Sequence, residues 1–324
     1  MENHLKLARV ALATTAVIIF PLAAKAQDYN LRTRIDTTVA LDRGGTVDLS
    51  LISGKIRVTG WDRPDVKITA SIEYGDLRFD ANASRVSLSV EDTDRSGKRK
   101  HKNGNRGEDE GDVGDARYEV SVPRGARLIL EAVSGDISAT GSQGEIEANS
   151  VSGDVEVANG VREVSVEAVS GSVHASQING NLRAETVSGD LRVESVTGDI
   201  EGSSVSGNVR IVGARSKEVR TETVSGDITY TGTIESGGKY SYESHSGTIR
   251  LNIPRSSGAQ FSVDTFSGDL SADFPIQVRA GGSRKEGHME FTLGDGGARV
   301  TLETFSGRVV IDTGSDPNTR REDE

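Results

Sequence analysis

The chain contains no cysteine. That absence excludes a disulfide framework and the acylated cysteine of a lipoprotein. Aromatic residues are scarce, 4% of 324 residues with a single tryptophan. Such a composition suits a narrow interior filled by stacked Val, Ile, Leu and Ala rather than by rings. Basic residues are outnumbered, 38 Lys and Arg against 49 Asp and Glu, for a net charge of −11. Nucleic-acid phosphates would be repelled by that surface, so no nucleic-acid partner is expected. Beyond residue 26 no run is long and apolar enough to cross a bilayer as a helix, so an integral membrane protein is not expected. Glycine is frequent at 38 copies, but it follows no Gly-X-Y period, which excludes collagen.

What the chain does have is a repeat. Val-Ser-Gly-Asp and its variants place Gly135, Gly153, Gly171, Gly189 and Gly207 each 18 residues apart. Looser copies follow at Gly226, Gly247, Gly268 and Gly307, with an early one at Gly54. A half-repeat falls between them at Gly144, Arg162, Gly180 and Gly198. A fixed period of this size marks a solenoid, whose repeats bury a core only by stacking on one another.

Aligned on the glycine, three columns are apolar. Two residues after it stand Ile137, Val155, Val173, Leu191, Val209 and Ile228. Four after it stand Ala139, Val157, Ala175, Val193, Ile211 and Tyr230. Two before it stand Val133, Val151, Val169, Val187, Val205 and Val224. Alternate strand positions face one side, so all three columns are expected inside, together with Ile146, Val164, Leu182 and Ile200 of the half-repeat. Glycine at the corner is expected because a sharp turn needs positive φ or close backbone approach. The Ser or Thr just before it can bond the turn backbone. The expected fold is all-β: a right-handed parallel β-solenoid (β-helix) with coils of about 18 residues and an N-terminal β-strand cap.

Residues 1–26 read as a signal peptide. Lys6 and Arg9 precede the apolar run Val10–Ala24, and Ala24-Lys25-Ala26 is a small-x-small cleavage site. Export follows, to the periplasm, the outer surface or the medium. Residues 27–127 form the strand cap, and Trp61 in Gly60-Trp61-Asp62-Arg63-Pro64 is expected to plug the core at its end. Within the cap, 92–117 is a charged segment expected to be disordered: Arg95, Lys98, Arg99, Lys100 and Lys102, then Glu108, Asp109, Glu110, Asp112 and Asp115. Residues 128–312 hold the repeats, and 313–324 a polar, disordered tail.

Several of these marks occur together in one family. A signal peptide, an early Gly60-Trp61-Asp62 turn, the strand Tyr118-Glu119-Val120-Ser121-Val122-Pro123, the Val-Ser-Gly-Asp copies and the closing Thr304-Phe305-Ser306-Gly307 follow in order. This order resembles the bacterial DUF4097 family of adhesin-like, exported β-strand-repeat proteins, over about 28–312. The resemblance implies an exported β-solenoid in the cell envelope, some relatives being linked to envelope stress responses. It carries over no catalytic residue.

Site candidates are weak. The position after each glycine forms a column containing Asp136, Asp154 and Asp190, the oxygen ligands that calcium takes. The dense Gly-Gly-x-Gly-x-Asp calcium repeat is missing, so a solvated rim is expected, with no metal and no cofactor. Arg183, Arg192 and Arg210 on the outward rows are the candidates for a shallow glycan or polyanion site. His101, His174, His245 and His288 show no metal-ligand spacing, and His245 is expected as a partly buried core substitute. The expected function is a non-enzymatic, adhesin-like module binding a cell-surface glycan or an envelope protein, its oligomeric state left open. One alternative is a periplasmic scaffold or envelope-stress component binding other proteins. The other, by fold analogy alone, is a polysaccharide-active β-helix enzyme.

The period itself predicts an experiment. Deleting Asp136–Gly153 joins Gly135 to Asp154 and keeps every column in register, so that variant should fold with one repeat fewer. Deleting Asp136–Gly144 puts the following strands out of step, and that variant should be far less stable or insoluble. Urea midpoints and soluble yield compare the two, and equal stability would refute the repeat.

Overall fold

The computed structural model describes residues 33–91, 113–275 and 287–314. The signal segment, most of the charged segment and the tail from 315 lie outside the described residues. Every regular element described is a β-strand, and the described part of the charged segment already joins a strand at Ala116.

The strands stack in two parallel ladders. One runs through Ile146–Ser150, Val164–Ala168, Leu182–Thr186, Ile200–Ser204, Glu218–Thr223 and Lys239–Ser244. The other runs through Val155–Ala158, Val173–Ser176, Leu191–Glu194, Val209–Ala214, Ile228–Gly232 and Ile249–Pro254. The longer strands Thr46–Trp61 and Arg127–Thr140 continue around the corner and belong to both. Ile146 pairs with Val164, Val164 with Leu182 and Leu182 with Ile200, so like stacks on like at the interval of the repeat. Later repeats are longer. A bulge between Val212 and Ala214 takes up the first extra residue, so that Val209 still pairs with Ile228.

The two columns after the glycine and the half-repeat column are buried, as the alternation predicts. The column before the glycine is not. Val133, Val151, Val169, Val187, Val205 and Val224 are 43–49% exposed. The reason is a change of parity at the corner. Before Gly153 the inward residues are Ile146, Ala148 and Ser150; after it they are Val155 and Val157. The alternation restarts across the turn, and Val151 falls on the outside.

The corner glycines are required by close approach. A Cβ on Gly171 would lie 1.9 Å from the carbonyl oxygen of Gly153, and one on Gly153 would lie 2.1 Å from that of Gly135. Where the residue three before the glycine carries a hydroxyl, it, rather than the residue just before the glycine, caps the glycine carbonyl of the preceding repeat. Ser150 Oγ donates to Gly135 O at 3.0 Å and Thr186 Oγ1 to Gly171 O at 3.0 Å. Positive φ serves a different corner, six residues after the glycine, where Gly141, Asn159, Gln177, Ser195 and Gly213 are all left-handed.

The ends do not follow chain order. Ala298–Thr304 lies between Lys239–Ser244 and Ala259–Thr265, and Arg308–Gly314 lies between Ile249–Pro254 and Asp269–Ala272. Gly307 thus stacks on Gly247 and beneath Gly268. At the other end Thr46–Trp61 lies between Arg127–Thr140 and the pair Arg85–Glu91 and Ala116–Pro123. Antiparallel strands then follow at both ends, Asp65–Ile72, Arg34–Ala40 and Asp76–Ala81 at one and His288–Leu293 at the other. A reversed strand breaks the parallel template that would otherwise recruit another chain. Trp61 is no core plug: it is half-buried, donates Nε1–H to Asp65 O at 2.8 Å and carries the Arg63 guanidinium 4.5 Å above its ring.

Gly171→Ala tests the close approach. Backbone would have to move, so a loss of about 3 kcal/mol is expected, at the upper end for overpacking. Gly125→Ala has open space around it and should shift stability by no more than about 0.5 kcal/mol. Equal urea midpoints for the two would contradict the stacked corner.

Candidate functional site

The solenoid offers two outward faces and the corner between them. On one face Arg183 lies between Glu185 and Glu201, with Nη1 donating to Glu201 Oε2 at 2.5 Å. That hydrogen bond, with the Glu185 charge, raises its pKa further. On the other face Arg192 donates Nε–H to Glu194 Oε1 at 2.6 Å. Arg210 is its partner across the ladder and makes no ion pair among the described residues. Arg183 is therefore on the other ladder from Arg192 and Arg210, and the three do not share one surface. Most of these charges are already paired in exposed ion pairs, which are individually weak.

The column after the glycine has a structural use that a solvated rim does not describe. Asp136 Oδ1 accepts from the backbone N–H of Asp154 at 3.3 Å, and Asp154 Oδ1 from that of Ser172 at 2.9 Å. Asp190 Oδ1 accepts from the Asn208 backbone at 2.8 Å, Asn208 Oδ1 from Asp227 at 3.1 Å, and Asp227 Oδ1 from Thr248 at 2.7 Å. Each Asx side chain ties one repeat to the next. Asp136 also pairs with Lys55 at 3.0 Å. Among the described residues no three His, Asp or Glu side chains are grouped as a metal would need. The sequence signal for this ladder was Asn208 standing in a column otherwise of Asp and one Ser, since Asp and Asn share an acceptor oxygen but not a charge.

The corner itself was missed. The exposed valines form a continuous apolar ridge that begins at Ile52, 39% exposed, and ends in rings. His245 is exposed rather than a core substitute, and it stacks on Phe305 at 4.9 Å. Phe305 stacks on Phe266 at 4.7 Å, and Phe266 is 78% exposed. The signal available was size: a tight interior column does not alternate Val with Phe and His. Carboxylates run beside the ridge on both sides, Asp154 and Asp190 on one and Glu131, Glu167, Glu243 and Glu303 on the other. Burial, with Glu243 and Asp264 nearby, raises the pKa of Glu303. His288 Nδ1 lies 2.7 Å from Asp264 Oδ1, and that hydrogen bond raises the His288 pKa.

One shallow polar depression lies among Arg78, Asp80, Asn82 and Arg85, and another among Arg57, Lys67, Thr69 and Glu119. Tyr118, Tyr230 and Tyr242 are buried in the core, and burial raises their hydroxyl pKa values.

With the glycine stack and its two ladders in place, a known family fits the chain. The Toastrack DUF4097 family model matches residues 115–312, well over half of it. The chain belongs to the Toastrack DUF4097 family. The match starts at the edge of the strand Ala116–Pro123 and runs to the last repeat in sequence, so the described glycine stack from Gly135 onward is Toastrack structure. A solved structure from Clostridium sporogenes, described as a candidate cell adhesion protein, is similar at 13% identity. The similarity covers 87% of this chain and 100% of that one, with a TM-score of 0.19. No curated protein matches.

The Asx ladder predicts a graded pair. Asp190→Ala removes the acceptor of Asn208 and should cost about 1 kcal/mol, while Asp190→Asn keeps an acceptor and should cost less than half of that. Millimolar calcium should leave all three urea midpoints unchanged. Equal losses in the two variants, or a calcium-dependent rise in the parent alone, would contradict a hydrogen-bonding role.

Proposed function

We propose that this Toastrack chain is an exported, non-enzymatic, adhesin-like interaction module of the bacterial cell envelope, built of right-handed coils of 18 residues. One observation carries the reading. One corner presents an exposed valine in coil after coil, Val133 to Val224, at the rise of a parallel ladder, about 4.8 Å. Repeated weak contacts on a rigid rod sum to avidity, which a binder can use and a single active site cannot. The signal peptide at 1–26 supports export to the periplasm, the outer surface or the medium. The second reading, a scaffold or envelope-stress component that binds other proteins, is favoured by one feature, the apolar ridge, because glycans present few apolar groups to match it.

Cell fractionation with N-terminal sequencing should find the chain in the envelope or medium, beginning at Gln27. Purified chain should bind envelope preparations, and deletion of Asp136–Gly153 should weaken that binding by less than tenfold, as loss of one contact among many does. Retention in the cytosol, or release of sugar fragments from envelope polysaccharide, would overturn the proposal.

A further inference from the structure

The ridge has a size, a shape and a charge pattern that together select a partner. Six valines from Val133 to Val224 stand one per repeat along one corner, each a little under half exposed. With the rings that follow, the exposed apolar surface is on the order of 500 Å², the upper end of what ordinary monomers leave open, and often functional at that size. The side chains stand about 4.8 Å apart, so the ridge is straight and several nanometres long. Nothing among the described residues covers it.

Charge decides between occupants. Two residues before the ridge positions Val133, Val169, His245 and Phe305 lie Glu131, Glu167, Glu243 and Glu303, and three after Val151 and Val187 lie Asp154 and Asp190, all without an ion-pair partner among the described residues, whereas Glu185, Glu222, Asp264 and Asp136 in the same columns are paired. A second copy of the chain has the matching rise but the wrong charge. Any two-fold pairing of ridge on ridge sets one acidic column against another on both sides. An anionic lipid surface is repelled for the same reason. At the ring end the exposed Phe266 follows Asp264 by two residues, and Asp264, bonded to His288, lies opposite Glu303 in the ladder, so an exposed aromatic ring ends an acidic row, which suits a Lys or Arg head group.

We propose that this corner is the docking site for a cationic amphipathic polypeptide segment, whose apolar side chains lie on the valine ridge and whose Lys and Arg side chains reach the flanking carboxylates. The inference rests on the interaction-module reading and specifies its partner. The basic side chains reach over both edges of the ridge, so affinity needs the apolar and the charged parts together.

The test uses the full purified chain and three synthetic 18-residue probes: a Lys/Leu amphipathic peptide, a Glu/Leu amphipathic peptide and oligolysine. Fluorescence anisotropy should show the Lys/Leu peptide binding at least tenfold more tightly than either of the others. Val169→Ser with Val187→Ser changes only exposed positions, so circular dichroism and Tm should stay unchanged while Lys/Leu binding falls about tenfold, the effect of removing apolar contact from two of the six valines. Glu131→Gln with Glu167→Gln should weaken binding and reduce its salt dependence. Equal binding of oligolysine, equal binding of the Glu/Leu peptide, or an unchanged affinity in the valine variant would overturn the proposal. So would a dimer in light scattering that the valine variant abolishes. Envelope binding that survives the valine substitutions would sink the ridge proposal and leave the interaction-module reading standing. Loss of envelope binding by the parent chain itself would count against that broader reading.

Discussion

Everything in this molecule depends on one backbone contact, the Cα of a corner glycine lying against the carbonyl of the corner glycine in the preceding repeat. There is no room for a Cβ at about 2 Å from that oxygen. The contact keeps successive corners directly above one another. With the corners aligned, the short strands on either side pair in register, and the four or five residues of each strand suffice. A hydroxyl from the next repeat closes the carbonyl from inside, and an Asx side chain ties the following N–H from outside. The narrow core is then filled mostly by Val, Ile, Leu and Ala, with the rings of Tyr118, Tyr230, Tyr240, Tyr242 and Phe261 buried among them.

The same corner creates the surface. Because the alternation restarts there, a residue that would have been interior points to solvent, and it does so in each Val-Ser-Gly repeat. A repetitive fold repeats its exposed features as faithfully as its buried ones. The acidic columns on either side follow from the same register, so apolar and charged lines run parallel along the rod. Length therefore sets the size of any interaction surface, and the ends matter only because they stop the stacking. At both ends the chain inserts a strand out of order and then reverses direction, which replaces an open parallel edge with antiparallel pairing.

Much of this was legible in the residues. The spacing of Gly135 to Gly207 set the register, and Ile137, Val155 and Val173 identified an interior column. The family could be recognised from the order of its motifs, and the family match over 115–312 bears that out. Other features were not legible, for specific reasons. Val151 looked interior because alternation was carried through a turn, and a turn has no fixed parity. Arg192 and Arg210 read as one outward row and Arg183 as the other, and the two ladders keep them apart, so a site around all three has no common surface. Asp154 looked like a solvated group because a hydrogen bond to Ser172 exists only once the next repeat is stacked on it.

The sequence by itself determined what is periodic: the strands, the glycine corner and the residues two and four beyond it, since each is a local pattern repeated at one interval. Tertiary structure alone decided what is not local. It placed Gly307 between Gly247 and Gly268, against chain order, because the end of the stack has to be closed by a strand that can reverse. It turned the valine column outward, because the facing of a side chain beyond a turn depends on how the turn packs on its neighbour.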